Sequence, residues 1–178
     1  MTAPARGQVT GATWQEETYE LLKEHGVSQF TYVPDAGHKR IIELAQDDPT
    51  VHAVTLTTEE EGVAVLAGAD LGLERGVLLL QSSGVGNCIN FLSLVKIARF
   101  PMLMLVSMRG DFGEGNPWQF PMGQAVEPVL RVMGVNTLRA DGPEEVTAVV
   151  DAASTMVFQG GESVAVLLTQ RLLGAKKF

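Results

Sequence analysis

Strand-length apolar runs alternate along the chain with longer stretches in which apolar residues recur at helical spacing. The clearest succession is residues 51–90. VHAVTLTT (51–58) is rich in β-branched residues and apolar enough to form a buried strand. Three glutamates follow, Glu59, Glu60 and Glu61, and then GVAVLAGADLG, with Gly62, Ala64, Ala67, Gly68 and Ala69 at helical spacing. A helix with so little side-chain bulk lets another backbone or a flat ligand come close. GVLLLQ (76–81) reads as a short apolar strand. SSGVGN (82–87) reads as a glycine-rich loop that opens a helix at Asn87 or Cys88. The pattern puts a carboxylate-bearing loop and an amide-bearing loop at the carboxyl ends of two neighbouring strands, where ligands bind in open α/β sheets.

The rest of the chain repeats the alternation. TWQEETYELLKEH (13–25) is amphipathic, with Thr13 as the expected N-cap, Glu16 three residues on, and Gly26 as the stop. QFTYVP (29–34) is a strand ended by Pro34, DAGH a turn, and KRIIELAQ (39–46) a helix closed by a DDP turn. NCINFLSLVKIA (87–98) predicts a helix and PMLMLVSM (101–108) a buried strand. RGDFGEGNPWQFPMG (109–123) predicts a long loop, a length that in compact domains points to function. A helix (124–134), a strand (135–140), a helix opened by Pro143 (143–159) and a last strand (162–171) complete the pattern. Six strands interleaved with helices predict an α/β fold, doubly wound, with a mainly parallel six-stranded sheet and helices on both faces. Residues 13–178 are expected to form one domain after a flexible start, residues 1–12.

Composition narrows the function. The formal charge of −8, with no large Lys/Arg cluster, argues against a nucleic-acid partner. The apolar runs are of strand length, too short to span a bilayer, and the start of the chain lacks the apolar core of a signal peptide. The single cysteine, Cys88, excludes an internal disulfide and fits a reducing compartment, so a cytoplasmic protein is expected. No His, Cys or carboxylate group has metal-ligand spacing. Of the histidines, His25 reads as a helix C-terminal residue, His52 as a strand start and His38 as a helix-start residue at the surface. Cys88 reads as structural. The methionines at 102, 104 and 108 follow strand spacing and read as core.

TEEEGVAVLAGADLG followed by LLLQSSGVGNCINFLSLV, together with Val33–Pro34–Asp35 and the NPWQFPMGQAVEPVL loop, resembles the pyrimidine-binding domain of thiamine diphosphate enzymes. The decarboxylases of sulfopyruvate and phosphonopyruvate are the members it most resembles. The likeness runs from about residue 13 to 170. It implies that Glu59, registered by Gly68, bonds to the cofactor's aminopyrimidine and favours its imino tautomer. Such a carboxyl needs a dry setting and a raised pKa. Glu60 and Glu61 are its possible confusions. Asp35, in the Val33–Pro34–Asp35 element, is implied for proton transfer at the reacting carbonyl; His38 is a second candidate by its position on the same turn and its near-neutral intrinsic pKa. Ser83, Gly84, Gly86 and Asn87 are implied at the cofactor, and Gln81, Ser82, Asn87 and Arg109 at the substrate. Ser82 stands where the relatives carry Asn. An anionic substrate calls for a cation, for which Lys39 and Arg40 compete with Arg109.

The family also needs a diphosphate-binding domain, marked by GDG and a downstream Asn pair, that holds Mg²⁺. This chain has neither; Gly110–Asp111–Phe112 lacks the Asn pair. The resemblance therefore implies an alpha-type subunit of a hetero-oligomer, a 2-oxoacid decarboxylase whose beta-type partner supplies that half and which acts on a small anionic 2-oxoacid. Two other readings stay open: a cofactor-free assembly module, and a regulatory nucleotide-binding module of flavodoxin-like topology.

Overall fold

The six strands are β1 (Val27–Tyr32), β2 (His52–Thr55), β3 (Arg75–Gln81), β4 (Met102–Ser107), β5 (Asn136–Ala140) and β6 (Ser163–Leu168). They form one sheet in the order β2-β1-β3-β4-β6-β5, every pair parallel. The structure is a computed structural model that describes residues 12–175, so the expectation for the chain's start lies outside the described residues save at residue 12. The helices are α1 (Trp14–Glu24), α2 (Lys39–Asp47), α3 (Glu59–Leu71), α4 (Ser82–Cys88), α5 (Leu92–Ala98), α6 (Phe120–Val132), α7 (Pro143–Phe158) and α8 (Gln170–Leu173), with a 3₁₀ turn at Pro117–Gln119.

Strand periodicity divides the core in two. Leu79, Leu103, Leu105, Val164 and Val166 face one side, packed with Leu22 of α1, Ile41 of α2 and Val150 of α7. Their neighbours Leu78, Leu80, Met104, Val106 and Leu167 face the other, with Val63 of α3, Val85 of α4, Leu92 of α5 and Val126 of α6. Helices thus cover both faces, and the runs of β3, β4 and β6 read as continuously apolar because both of their sides are buried. Met102, Met104 and Met108 are core residues.

Several local expectations are corrected. β2 is four residues long, sits at the sheet edge and is half-exposed, not a buried strand over 51–58. The β-branched run reads alike at an edge and a centre, and its last three residues turn into α3. β2 and β3 are not neighbours, because β1 lies between them. Their two loops still meet, since α3 crosses back over β1 to reach β3. Residues 82–87 are not a loop: α4 starts at Ser82, directly after the strand. The expected helix over 87–98 breaks after Cys88 and resumes at Leu92. The expected loop over 109–123 turns helical from Pro117. Thr13 caps α1 as expected, in a reciprocal capping box with Glu16.

Backbone contact without side chains clamps the 109–116 loop to the start of α6. Gly110 adopts φ +70°, and a Cβ there would lie 2.1 Å from the Gln119 carbonyl oxygen. A Cβ on Gly123 would lie 2.1 Å from the carbonyl oxygen of Arg109. Gly123→Ala is expected to cost about 1–3 kcal/mol, the usual toll of overpacking, in urea unfolding. Gly68→Ala, where nothing lies within 4 Å, is expected to stabilise the isolated chain by about 0.5–1 kcal/mol.

Candidate active site

The sheet order reverses direction at β1: the chain goes outward to β2 and returns to β3 on the other side. The carboxyl ends of β1 and β3 therefore flank a switch point, the usual seat of ligands in open sheets. Three polar side chains meet there. Asp35 follows β1, Gln81 ends β3, and Ser107 ends β4 in register with Gln81. The Ser107 hydroxyl donates to Asp35 Oδ2 at 2.5 Å and the Gly37 N–H donates to the same oxygen at 2.9 Å. Gln81 Nε2 donates to Asp35 Oδ1 at 3.1 Å, while Gln81 Oε1 accepts from the Ser83 hydroxyl at 3.0 Å. Burial pushes the Asp35 carboxyl up, but its hydrogen bonds and the adjacent His38 outweigh that and leave it below the ordinary carboxylate value.

His38 is fully buried, against the expectation of a surface histidine. It precedes α2, and Nε2 meets the Leu80 carbonyl at 3.3 Å while Nδ1 has no partner. Burial holds its pKa below the ordinary 6.5, against the pull of Asp35 and nearby carbonyls. The ring is neutral at pH 7, so near neutrality the three donors, not a charge on His38, hold Asp35 ionised.

Beside Asp35 opens a cavity of about 210 Å³, lined also by Trp14, Gly37, Ser107, Arg109 and Leu172. Arg109 reaches it from the loop after β4. Its guanidinium is bound in a fork by Glu114, with Nη2 to Oε1 at 2.7 Å and Nε to Oε2. The Glu114 side chain is fully buried and also accepts from the N–H groups of Gly110 and Asn116 and from Gln170 Nε2. Gln170 Oε1 in turn receives the N–H groups of Asp111 and Phe112. Ser82, expected at the substrate, is instead buried, its hydroxyl engaged with the main chain of Arg109. Lys39 lies exposed near Glu43, and Arg40 pairs with Glu16. Ser107, Glu114 and Gln170 were missed in the sequence. The signal for Glu114 was an acid five residues after an arginine in a glycine-rich stretch.

The second cluster forms where α3 starts against α4. The three glutamates sort by neighbour. Glu59 Oε2 accepts from Asn87 Nδ2 at 2.7 Å. Its carboxyl lies over Gly84, where a Cβ would come within 2.4 Å of Glu59 Cδ. Gly84 and Gly86 serve close approach, not positive φ: both are helical, and a Cβ on Gly86 would sit 3.0 Å from Met122 Sδ. Glu61 reaches back to cap the N–H of Thr57 at 2.8 Å. Glu60 carries a buried carboxyl oxygen, Oε2, with no partner. Glu59 and Glu60 are half-buried and Asn87 is exposed, so this chain by itself does not give Glu59 the dry setting expected of it. Cys88 is buried, and burial with the two nearby glutamates pushes its thiol up to about 12, which makes it inert. Among the described residues no cluster is placed to hold a metal, and no helix is long and apolar enough to cross a membrane.

No family model matches the chain. It is 36% identical over 154 residues to the sulfopyruvate decarboxylase subunit alpha of Methanococcus maripaludis, covering 86% of this chain and 92% of that one. It is 35% identical over 150 residues to the corresponding subunit of Methanocaldococcus jannaschii, covering 84% and 89%. The chain belongs to the sulfopyruvate decarboxylase alpha-subunit family. The family extends to longer relatives: the phosphonopyruvate decarboxylase of Streptomyces viridochromogenes is 36% identical over 107 residues, 59% of this chain and 27% of that one. A solved 2-oxoglutarate:ferredoxin oxidoreductase from Magnetococcus marinus superposes with a TM-score of 0.72 over 89% of this chain and 29% of that one, at 12% identity, a likeness of fold. Family membership accords with a decarboxylase subunit and does not favour the assembly or flavodoxin-like modules.

Glu114 yields a test of the site's frame. Its carboxyl is held well below the ordinary 4.5 by Arg109, against the pull of burial and aided by backbone N–H groups. A depressed folded-state pKa contributes stability above the unfolded value, lost as pH falls through the folded one. Glu114→Ala strands Arg109, Gln170 and two N–H groups, and is expected to cost about 3–5 kcal/mol at pH 7. Chemical denaturation at pH 7 and pH 3 is expected to show a smaller loss at the lower pH.

Proposed function

We propose that this chain is the alpha-type subunit of a two-subunit, thiamine diphosphate-dependent decarboxylase of a small anionic 2-oxoacid such as sulfopyruvate. A beta-type partner holds the diphosphate and Mg²⁺ through its GDG and Asn-pair motif. The reading includes a cytoplasmic setting, in keeping with the lone buried thiol. The observation that carries it is the carboxyl pair at the start of α3. There Glu59 lies over a glycine with no side chain between and is bound by Asn87, and the adjacent Glu60 carries a buried oxygen with no partner among the described residues. A carboxyl set against a glycine, with an unpartnered oxygen beside it, leaves room for a flat ring with which to share a proton. An aminopyrimidine is such a ring: its nitrogen accepts a hydrogen bond from the protonated carboxyl and, having taken the proton, donates one back.

Thiamine diphosphate, when bound, supplies the cationic ring that accepts the electrons released as CO₂ leaves. The glutamate holds a proton at the pyrimidine nitrogen. Glu59, registered by Gly68 and lying over Gly84 with Asn87 bound to it, is the residue proposed for that role; Glu60, whose Oε2 has no partner among the described residues, is the second reading. Asn87 orients the Glu59 carboxyl. Asp35, ionised at the neighbouring cavity, accepts hydrogen bonds or a proton from the substrate side. Arg109, braced by Glu114, contributes positive charge to the cavity wall where an anionic substrate would lie.

Purification of the tagged chain from its native cells is expected to bring down a stoichiometric partner bearing GDG and a downstream Asn pair. With thiamine diphosphate and Mg²⁺, the complex is expected to release CO₂ from sulfopyruvate, and the chain alone to release none. Glu59→Gln is expected to lower kcat at least about 100-fold, the scale of a lost acid–base group, with the complex still assembled. Full loss in Glu60→Gln with activity kept in Glu59→Gln would move the role to Glu60. Activity kept in both would refute the catalytic assignment.

A further inference from the structure

Asp35 is not held by its own turn alone. Of its three donors, one is the turn's Gly37 N–H, one comes from β3 and one from β4. The β4 donor, Ser107, is 2% exposed, and its other acceptor among the described residues is the Leu80 carbonyl at 3.5 Å. The turn is shaped to this hydroxyl: a Cβ on Gly37 would lie 2.7 Å from Ser107 Cβ and 2.9 Å from Asp35 Oδ2. Every other residue of β4 is apolar, so a hydroxyl at the strand's last position is a local departure from the core pattern. The carboxylate it holds lines the cavity with Arg109.

We infer that Ser107 is a positioning residue that, resting on the decarboxylase reading above, fixes the Asp35 carboxylate toward the cavity and keeps it a hydrogen-bond acceptor there. A hydroxyl donating at this distance to a carboxylate favours the charged form. The charged or titratable groups facing Asp35 are His38, neutral at pH 7, from the start of α2, and Arg109 from the loop after β4. The residues lining the cavity from α1 and α8 are Trp14, Gln15, Leu172 and Leu173, which carry no charge. With Ser107 in place, Asp35 receives protons or hydrogen bonds; it does not begin the reaction as a proton donor.

Two measurements test this. In the full chain carrying ¹³C-labelled aspartate, with Asp35→Asn used for assignment, Ser107→Ala is expected to raise the Asp35 titration midpoint by about one to two pH units. That is the scale of one lost hydrogen bond to a charged group. An unmoved midpoint in a folded variant overturns the inference. In the reconstituted complex, Ser107→Ala is expected to move the acidic limb of the kcat/KM profile upward by a similar amount. In an Asp35→Asn background the same substitution is expected to lower kcat less than about twofold further, because its route is already cut. An undiminished further loss overturns the inference by showing that Ser107 does not act through Asp35. A wild-type complex inactive on every 2-oxoacid refutes the functional reading and the catalytic half of this one. The midpoint decides the structural half by itself.

Discussion

The carboxyl ends of three parallel strands are tied together by one carboxylate. Parallel strands leave their last polar groups pointing into the same crevice, and at a switch point no helix crosses over to cover them. Asp35 gathers donors from the ends of β3 and β4 as well as from its own turn, which links the exit turn of β1 to strands that β1 reaches only through the sheet. The arrangement demands smallness and burial around it: Gly37 abuts Ser107, and His38 packs below without a bond at Nδ1. The Arg109 loop meets the other side of the cavity, itself fixed by Glu114 and by the two glycines that bring main chain onto main chain.

The second cluster depends on the same economy of bulk. α3 must pass over β1 to deliver its start to α4. Gly62 lies where a Cβ would strike Leu78 and Leu56, and Gly84 lies under the Glu59 carboxyl. Small residues at these points let an acidic helix start sit against a second helix start, an arrangement in which carboxylates gain from both sets of unpaired N–H groups. The two clusters are joined through α4: Gln81 bonds Asp35 on one side and Ser83 on the other, and Asn87, six residues after the end of β3, reaches Glu59.

The α/β alternation, the parallel six-stranded sheet and its two faces were legible in the chain, because apolar runs of strand length between amphipathic stretches have few other solutions. The edge position of β2 was not, since Val, Thr and Ala pack as well at a half-covered edge as at a centre. The start of α4 at Ser82 was not, since glycine signals conformational freedom and crowding alike, and here crowding decides. The burial of His38 was hidden by its polar neighbours in sequence; the main chain that meets its ring comes from β3 and β4, far along the chain. Asp35, Gln81 and Asn87 were legible through the resemblance, whereas Ser107 was masked by the apolar run it ends. Glu114 was masked by a loop whose folding depends on it. Interactions between side chains far apart in sequence leave little trace in local pattern, and these are the ones that shape the cavity.

On the proposed reading, the geometry also explains why the work would be divided between subunits. A glutamate that manages a proton on a ring nitrogen needs shelter from water, yet Glu59 and Glu60 are half-buried and Asn87 is exposed on this chain. Asp35, by contrast, is supplied with donors from within and stays ionised without outside help. The self-sufficient part of the site is thus the carboxylate that accepts, and the dependent part is the carboxyl that must share a proton. A surface arriving over α3 and α4 would complete the second without disturbing the first, because Gln81 and α4 lie between them. On that reading the charged acceptor is held ready within this chain, and the proton-sharing acid stays half-exposed until a partner covers it.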